Sequence, residues 1–352
     1  MVKSFSRILI CLMLYSLLAG CEELILGPEE SADAGHVFDL LWDDFDKHYA
    51  LFTVRHTNWD SLYSAYRPTV NKYTPSIRLK SVLIELLGRL DDSHVALYGP
   101  DDSWTYTSGF AVGTIALRDE FSLNLIKNNY LDSFAKVQGE NDLSFGKIRN
   151  RNIGYIFLRE ENGHDPEGAI AGVLKQLGEH DAIILDLRTN SGGSAIYSRI
   201  IAGAFSDGVH LIGTTQTRNG PGYNDFDAKT DITTQITGSK QYHKPVVVLT
   251  DRATISAGEF LALHMKSFSQ VTHIGDKTAG DFSAKSARKF LPNGWSYHYS
   301  VQMFLLPDGS SLDGVGVTPD IYAKNEKYDI DSGRDKVLER ALKFLYDAYG
   351  IQ

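Results

Sequence analysis

Cysteine is nearly absent from this chain: there are two in 352 residues, Cys11 and Cys21. Cys11 falls in an N-terminal leader, so the processed chain keeps one thiol and can form no internal disulfide. Basic residues are also short, with 35 Lys and Arg against 44 Asp and Glu. Without Lys3 and Arg7 of the leader the balance is 33 against 44, a net charge of −11. With no basic run anywhere, nucleic acid is excluded as a partner. No His-Glu-x-x-His, cysteine cluster or EF-hand pattern occurs, so no metal site is expected. The Lys-Ser/Thr of a phosphate-binding loop and the glycine spacing of a dinucleotide fingerprint are missing too, and no cofactor is expected. Repeats and low-complexity tracts are absent. What remains is a chain with 43% hydrophobic residues. That is enough for two packed subdomains at the usual roughly 100–200 residues each.

The leader is "MVKSFSRILICLMLYSLLAGCEE". Lys3 and Arg7 form a basic start, Ile8 to Leu18 an apolar stretch, and Ala19-Gly20-Cys21 a small-residue cleavage site. This is a secretory signal, too short and wrongly flanked for a lasting membrane span. Leu18-Ala19-Gly20-Cys21 resembles the bacterial lipobox, which makes residues 1–20 a lipoprotein signal peptide and Cys21 the lipidated first residue. The expected location is the bacterial cell envelope, anchored by lipid to the outer membrane. Residues 21–35 then read as an acidic tether.

Residues 36–94 carry apolar and aromatic side chains at helical spacing, with Pro68 and Pro75 as breaks, and predict a small helical subdomain. Its dense aromatics read as core packing. Residues 95–150 read as a small β-rich region, including "FAVGTIALRD" and "FSLNLIKN". From 151 to 352 strands alternate with helices, the pattern of a mostly parallel sheet covered by helices. A hairpin turning at Pro292-Asn293-Gly294 is expected within 286–306, and the chain ends in an amphipathic helix.

Four sites could carry chemistry. In "LDLRTNSGGS" a buried strand runs into Gly192-Gly193, where bare backbone could approach an oxyanion; a flexible turn explains it equally well. In "TDRATISAGEF" Ser256 stands between a strand and a helix. Ser256 and Glu259 have the spacing of a capping box, yet the same position is where α/β hydrolases hold a nucleophile. In "RLDDSHVAL" His94 follows Ser93 and is either a helix C-terminal residue or a base with a near-neutral pKa. In "SSLDGVGVTPD" Asp313 either orients a histidine or is a turn carboxylate.

In this order the four stretches, together with "GDKTAG", resemble the C-terminal processing peptidases and their tricorn-core and retinoid-binding-protein relatives, from about residue 36 to the end. The resemblance implies an α/β fold of the crotonase and Clp-protease kind, preceded by a helical subdomain, and serine-peptidase chemistry. The processing-peptidase design uses a lysine base in a Thr-Phe-Gly-Lys motif; the matching stretch here is Thr278-Ala279-Gly280-Asp281, with no lysine. The tricorn-like design uses a Ser-His pair and a C-terminal acid. Ser93-His94 and Asp313 match it, although Asp313 is a methylene shorter than the usual glutamate. The 95–150 region is too short for the complete PDZ domain that many relatives carry.

The resemblance therefore implies a lipid-anchored serine peptidase acting on peptides or unfolded proteins. Ser256 is the nucleophile and His94 the base. Ser93 and Asp313 hold the imidazole, and the N–H groups of Gly192 and Ala257 form the oxyanion hole. Glu259 has a supporting or capping role, and Asp281 is dispensable for proton transfer. The alternative is a non-catalytic protein on the same scaffold that binds peptides or apolar ligands. An acyl-CoA enzyme of the crotonase kind lacks an adenine-phosphate site here.

Overall fold

The computed structural model describes residues 31–109, 119–139 and 142–352. The signal peptide, Cys21 and most of the tether lie outside the described residues, as does nearly all of "FAVGTIALRD". Helix α1 (Ala34–His48) starts where Asp33 accepts the His36 N–H. Helix α2 (Trp59–Tyr66) is capped in the same way by Asn58, and α3 (Ser76–Gly88) follows Pro75. Their apolar faces meet in one core, where Phe38, Phe45, Tyr49, Phe52 and Trp59 are buried. The dense aromatics are thus packing groups, as expected.

Strands β1 (Ala96–Tyr98) and β2 (Thr105–Thr107) pair antiparallel. The stretch "FSLNLIKN" is not β structure. It forms helix α4 (Leu123–Asn129), because the Ser122 hydroxyl accepts the Leu125 N–H and Ile126 turns into the core. Its short apolar alternation mimics a strand, but the cap decides. Strands β3 (Leu131–Lys136) and β4 (Leu143–Ile148) then lead into β5 (Ile153–Leu158), α5 (Pro166–Leu177), β6 (Ala182–Asp186) and α6 (Ala195–Gly203). Next come β7 (Leu211–Thr217), β8 (Thr230–Thr233), β9 (Val246–Thr250), α7 (Ala257–Lys266) and β10 (Val271–Gly275).

The hairpin is present but short. Strands β11 (Lys289–Phe290) and β12 (Ser296–His298) pair antiparallel, and β12 also pairs with β1. Gly294 at its turn has φ 82°, a conformation that glycine adopts without strain. Strand β13 (Gln302–Leu305) leaves this sheet and pairs with β7. Strand β14 (Ile321–Tyr322), α8 (Lys327–Asp331) and α9 (Lys336–Tyr349) complete the order.

The main sheet runs β14-β10-β9-β6-β5-β4-β3. It is parallel from β14 to β5, and β4 and β3 are antiparallel. Every residue of β5, β6 and β9 is buried, as a sheet covered on both faces requires. Leu185 and Val248 pack with α5, α6 and α7 on one face. Ile184 and Val247 pack with α9 on the other. The described strands of 95–150 all belong to larger sheets, β1 and β2 with the hairpin, β3 and β4 with the main sheet. The loops after β6, β9 and β10 gather at the carboxyl ends of parallel strands, where α/β sheets present their ligands.

One buried ionic group fastens α9 to the sheet. Arg188 grips Asp186 through Nε (2.9 Å) and Nη2 (2.6 Å), and its Nη1 lies 2.9 Å from both oxygens of Asp335, the cap of α9. Arg188→Met leaves two carboxylates buried without a counter-charge and is expected to cost about 3–5 kcal/mol. Urea unfolding of the purified variant checks this; a midpoint equal to that of the wild type would refute it.

Candidate active site

Strand β9 ends at Thr250, and the turn that follows is held by its own side chains. Asp251 accepts the N–H groups of Thr189, Ala253 and Thr254, and the Thr254 hydroxyl donates to the Leu187 carbonyl at 2.8 Å. The Ile255 N–H donates to the Asn190 carbonyl at 3.1 Å. The chain then enters α7 through Ser256 at φ 57°, ψ −119°. A non-glycine residue held there costs about 1–3 kcal/mol, and such strain clusters at functional sites. The capping box is in place, and its hydrogen bonds run through backbone and carboxylate. The Ser256 N–H donates to Glu259 Oε2 at 3.0 Å, and the Glu259 N–H to the Ser256 carbonyl at 2.9 Å. The Ser256 hydroxyl makes no cap hydrogen bond.

The Gly192-Gly193 turn lies directly against this serine. A Cβ on Gly192 would fall 2.8 Å from Ser256 Cβ and 2.9 Å from the Ile255 carbonyl, and φ there is 81°. Only glycine fits. The Gly192 N–H, however, donates to Asn190 Oδ1 at 2.8 Å, so it does not face the serine as an empty donor. Among the described residues, the N–H groups of Gly193 and Ala257 hold no hydrogen bond.

His94 sits just beyond α3. Asp92 Oδ1 accepts its backbone N–H at 2.9 Å, and Asp92 Oδ2 accepts the Tyr49 hydroxyl at 2.8 Å. His94 Nδ1 lies 2.9 Å from Asp281 Oδ1, and both groups are almost wholly buried. Neither atom has another hydrogen-bond partner, so the two groups face each other alone and form an ion pair when the imidazole is protonated. Ser93 Oγ donates to Asp281 Oδ2.

Asp281, not Asp313, is therefore the carboxylate on the imidazole, and Asp281 is not a bystander. Asp313 accepts the Phe282 N–H at 3.0 Å instead. The reason is close backbone packing. The Gly314 N–H donates to the Gly280 carbonyl at 2.8 Å, and a Cβ on Gly316 would fall 2.2 Å from the Thr278 carbonyl. The 312–316 turn thus lies flat on 278–280, and its acid meets the Phe282 backbone beside Asp281 and the Ser311 hydroxyl. The sequence signal for Asp281 was its place in the lysine's position, where a carboxylate can pair with a histidine but cannot be the amine base.

Glu259 does more than cap. Its buried carboxylate accepts from Ser256 N–H, Thr278 Oγ1 (2.6 Å), Gly280 N–H (2.7 Å) and Asp281 N–H (2.8 Å). One anion thus ties the serine turn to the loop that carries the histidine's partner. Burial, which outweighs these donors, and the nearby Asp281 push its pKa up to about 7. Burial disfavours a charged His94, but Asp281 and Asp92 outweigh it and its pKa is raised. Burial likewise opposes charge on Asp281, yet His94, Ser93 and Arg55 hold its pKa below the usual value. Asp313 is pushed up to about 8 by burial and by Asp281 and Asp92.

Asp92, His94 and Asp281 bring ligand atoms within 4.8 Å of one another. Asp92 already accepts Tyr49 and the His94 backbone, and Asp281 accepts Ser93. The trio thus suits proton transfer better than metal binding. An open cleft of about 240 Å³ lies against Ser93 and Asp281, walled by Arg55, Arg252 and Lys277.

The sequence matches Peptidase family S41 over residues 152–323 and the Tricorn protease C1 domain over residues 31–88. A crystal structure from Parabacteroides merdae, assigned as a peptidase, superposes with a TM-score of 0.80 at 26% identity, covering 90% of this chain and 97% of that one. A carboxy-terminal-processing protease of Bartonella bacilliformis is 28% identical over 53% of this chain and 43% of its own. Carboxyl-terminal-processing peptidase 2 of Arabidopsis thaliana is 30% identical over 48% of this chain and 31% of its own. The chain thus spans less than half the length of these curated relatives. It belongs to peptidase family S41, the C-terminal processing and tricorn-like serine peptidases.

The ion pair fixes a pH dependence. Because the folded pKa of His94 is raised above 6.5, its stabilisation is complete below pH 6.5 and is lost as pH rises through the folded value. Asp281→Asn removes the larger of the two carboxylate contributions that oppose burial and leaves only Asp92, so the His94 pKa should fall from its wild-type value. NMR titration of the His94 ring in both proteins tests this, and an unchanged pKa would refute the pairing.

Proposed function

We propose that this protein is a serine peptidase that hydrolyses peptide bonds through an acyl-enzyme. The observation that carries this is Ser256: a serine held at positive φ at the head of α7, its hydroxyl outside the cap and Gly192 packed against its Cβ. A residue serving only as a helix cap needs neither the strain nor the bare backbone beside it. In the proposed reaction Ser256 Oγ attacks the scissile carbonyl and gives its proton to His94. The imidazolium, balanced by Asp281, returns that proton to the leaving amine as the C–N bond breaks. Water then attacks the acyl ester with His94 again as base, releasing the new carboxylate and restoring the serine. Ser93 steadies Asp281. The Ala257 N–H would meet the developing oxyanion, and with Gly192 engaged by Asn190 the second donor would be the Gly193 N–H; removing one such donor costs about 3–4 kcal/mol in comparable enzymes.

The substrate class that fits is a peptide or unfolded protein. Processing of carboxyl termini is the activity named in the relatives and is part of this proposal. The lipobox at Leu18 to Cys21 supports an envelope lipoprotein.

Ser256→Ala should abolish peptide hydrolysis and labelling by a serine-reactive fluorophosphonate, and shift stability by no more than about 1 kcal/mol. A variant that stays active would refute the assignment. A wild type that binds peptide but neither cleaves it nor labels would establish the binding-protein alternative. For the anchor, Cys21→Ser should move the protein from membranes to the soluble fraction of its host, since multiple acyl chains hold firmly where one does not. Wild-type protein found mainly soluble would count against lipidation.

A further inference from the structure

Glu161 follows β5 and belongs to no part of the reaction just described, yet it is 1% exposed and lies under the glycine turn. Its backbone grips the turn from both sides. The Glu161 N–H donates to the Gly192 carbonyl at 3.0 Å, and the Ser194 N–H donates to the Glu161 carbonyl at 2.8 Å. A Cβ on Gly193 would fall 2.4 Å from that carbonyl, so the two segments are in full contact. The side chain adds a second grip. Glu161 Oε1 accepts from Asn190 Nδ2 at 2.9 Å, and the same nitrogen donates to the Leu158 carbonyl at 3.0 Å. With both amide hydrogens used, Asn190 Oδ1 is fixed towards the Gly192 N–H at 2.8 Å. The backbone carbonyl of Asn190 accepts the Ile255 N–H, one residue before Ser256.

We propose that Glu161 is a positioning residue for the reaction: through Asn190 it sets the Gly192-Gly193 turn against Ser256, and so the place where the oxygen of the reacting carbonyl is held. Asn190 can turn its oxygen to Gly192 only while its nitrogen has two acceptors, and Glu161 is one of them. Without it the amide is held by the Leu158 carbonyl alone, and the bond that fixes Gly192, the first glycine of the turn, is weakened. Small displacements at this point matter, because a misplacement of about 1 Å in a catalytic geometry can lower the rate roughly 100-fold.

The second oxygen, Oε2, is buried without a hydrogen-bond partner. An ionised carboxylate there would be severely penalised, whereas a neutral carboxyl is tolerated. Burial accordingly pushes the Glu161 pKa up to about 8; the bonds from Asn190 and the backbone oppose this, and the charge of Glu160 adds to it. The residue is therefore protonated at pH 7. As pH rises through about 8 an uncompensated charge forms beneath the turn, which must open to hydrate it. Glu259 and Asp313 titrate in the same range, so substitution at 161 has to assign the effect.

This inference rests on the peptidase reading, and the experiment separates the two. Wild type, Glu161→Gln and Glu161→Ala are compared on a quenched-fluorescent peptide from pH 5 to 10. Amide hydrogen exchange of residues 190–194 is followed in parallel. Glu161→Ala should lower kcat by about 10- to 100-fold with KM within about twofold, and speed exchange at Gly192. Glu161→Gln keeps an acceptor for Asn190 and cannot ionise, so it should retain most of kcat at pH 7 and lose the decline above about pH 8. An unchanged kcat in Glu161→Ala, or the wild-type alkaline limb in Glu161→Gln, overturns the proposal. If the wild type cleaves no peptide, the peptidase reading falls instead. The exchange data then decide alone: unchanged protection at 190–194 in Glu161→Ala overturns the role assigned to Glu161.

Discussion

A single buried carboxylate, Glu259, holds the two halves of the site together. It stands in the first turn of α7, where the exposed N–H groups of a helix favour negative charge. Its oxygens accept from both sides of the site, from Ser256 and from Thr278, Gly280 and Asp281. The strained serine turn persists because this carboxyl group over-determines it, as a residue at φ 57° requires. The side chain of Asp281 can meet His94 only because its backbone is fixed on the same carboxylate. Four donors converge here away from water, so a replacement without acceptor oxygens would strand them.

Around that anchor the charges are unequal by design of the packing. Asp92, Asp281 and Asp313 are all buried, and Arg55 and His94 are the cations acting on them. Like charges this close cannot all ionise. Asp281 takes the negative charge because it meets the His94 ring and the Ser93 hydroxyl. Asp313 and Asp92 are driven towards the neutral acid. Arg55 adds positive charge from the helical subdomain, donating to the Gly280 carbonyl at 3.3 Å. Two separate stretches of chain therefore supply one electrostatic unit.

How much of this was legible in the sequence depended on distance along the chain. Ser256, Glu259 and the glycine turn are local patterns, since strand, turn and helix follow one another within a few residues. The two-face burial of β5, β6 and β9 follows from their unbroken apolar runs. The choice between Asp281 and Asp313 was not legible, because both lie far from His94 in sequence. It was settled by the glycines that press 312–316 onto 278–280. The fate of the Gly192 N–H had a local signal, an asparagine two residues before it, which commonly turns back to bond that backbone group. Helix α4 was missed because seven residues of alternating polarity fit either period, and only the Ser122 cap separates them.

The hairpin β11–β12 has a consequence for how the molecule comes into being. Tyr297 and Tyr299 complete the aromatic core of the first helices, and both hydroxyls donate to Asp44 of α1 at 2.9 Å. A chain that emerges from the ribosome in order must therefore hold its first sixty residues unfinished until Tyr297 and Tyr299 have been made. Over that interval the imidazole of His94 has no companion, because residue 281 has not been made or placed. The His94–Asp281 pair therefore cannot assemble until most of the chain has been made.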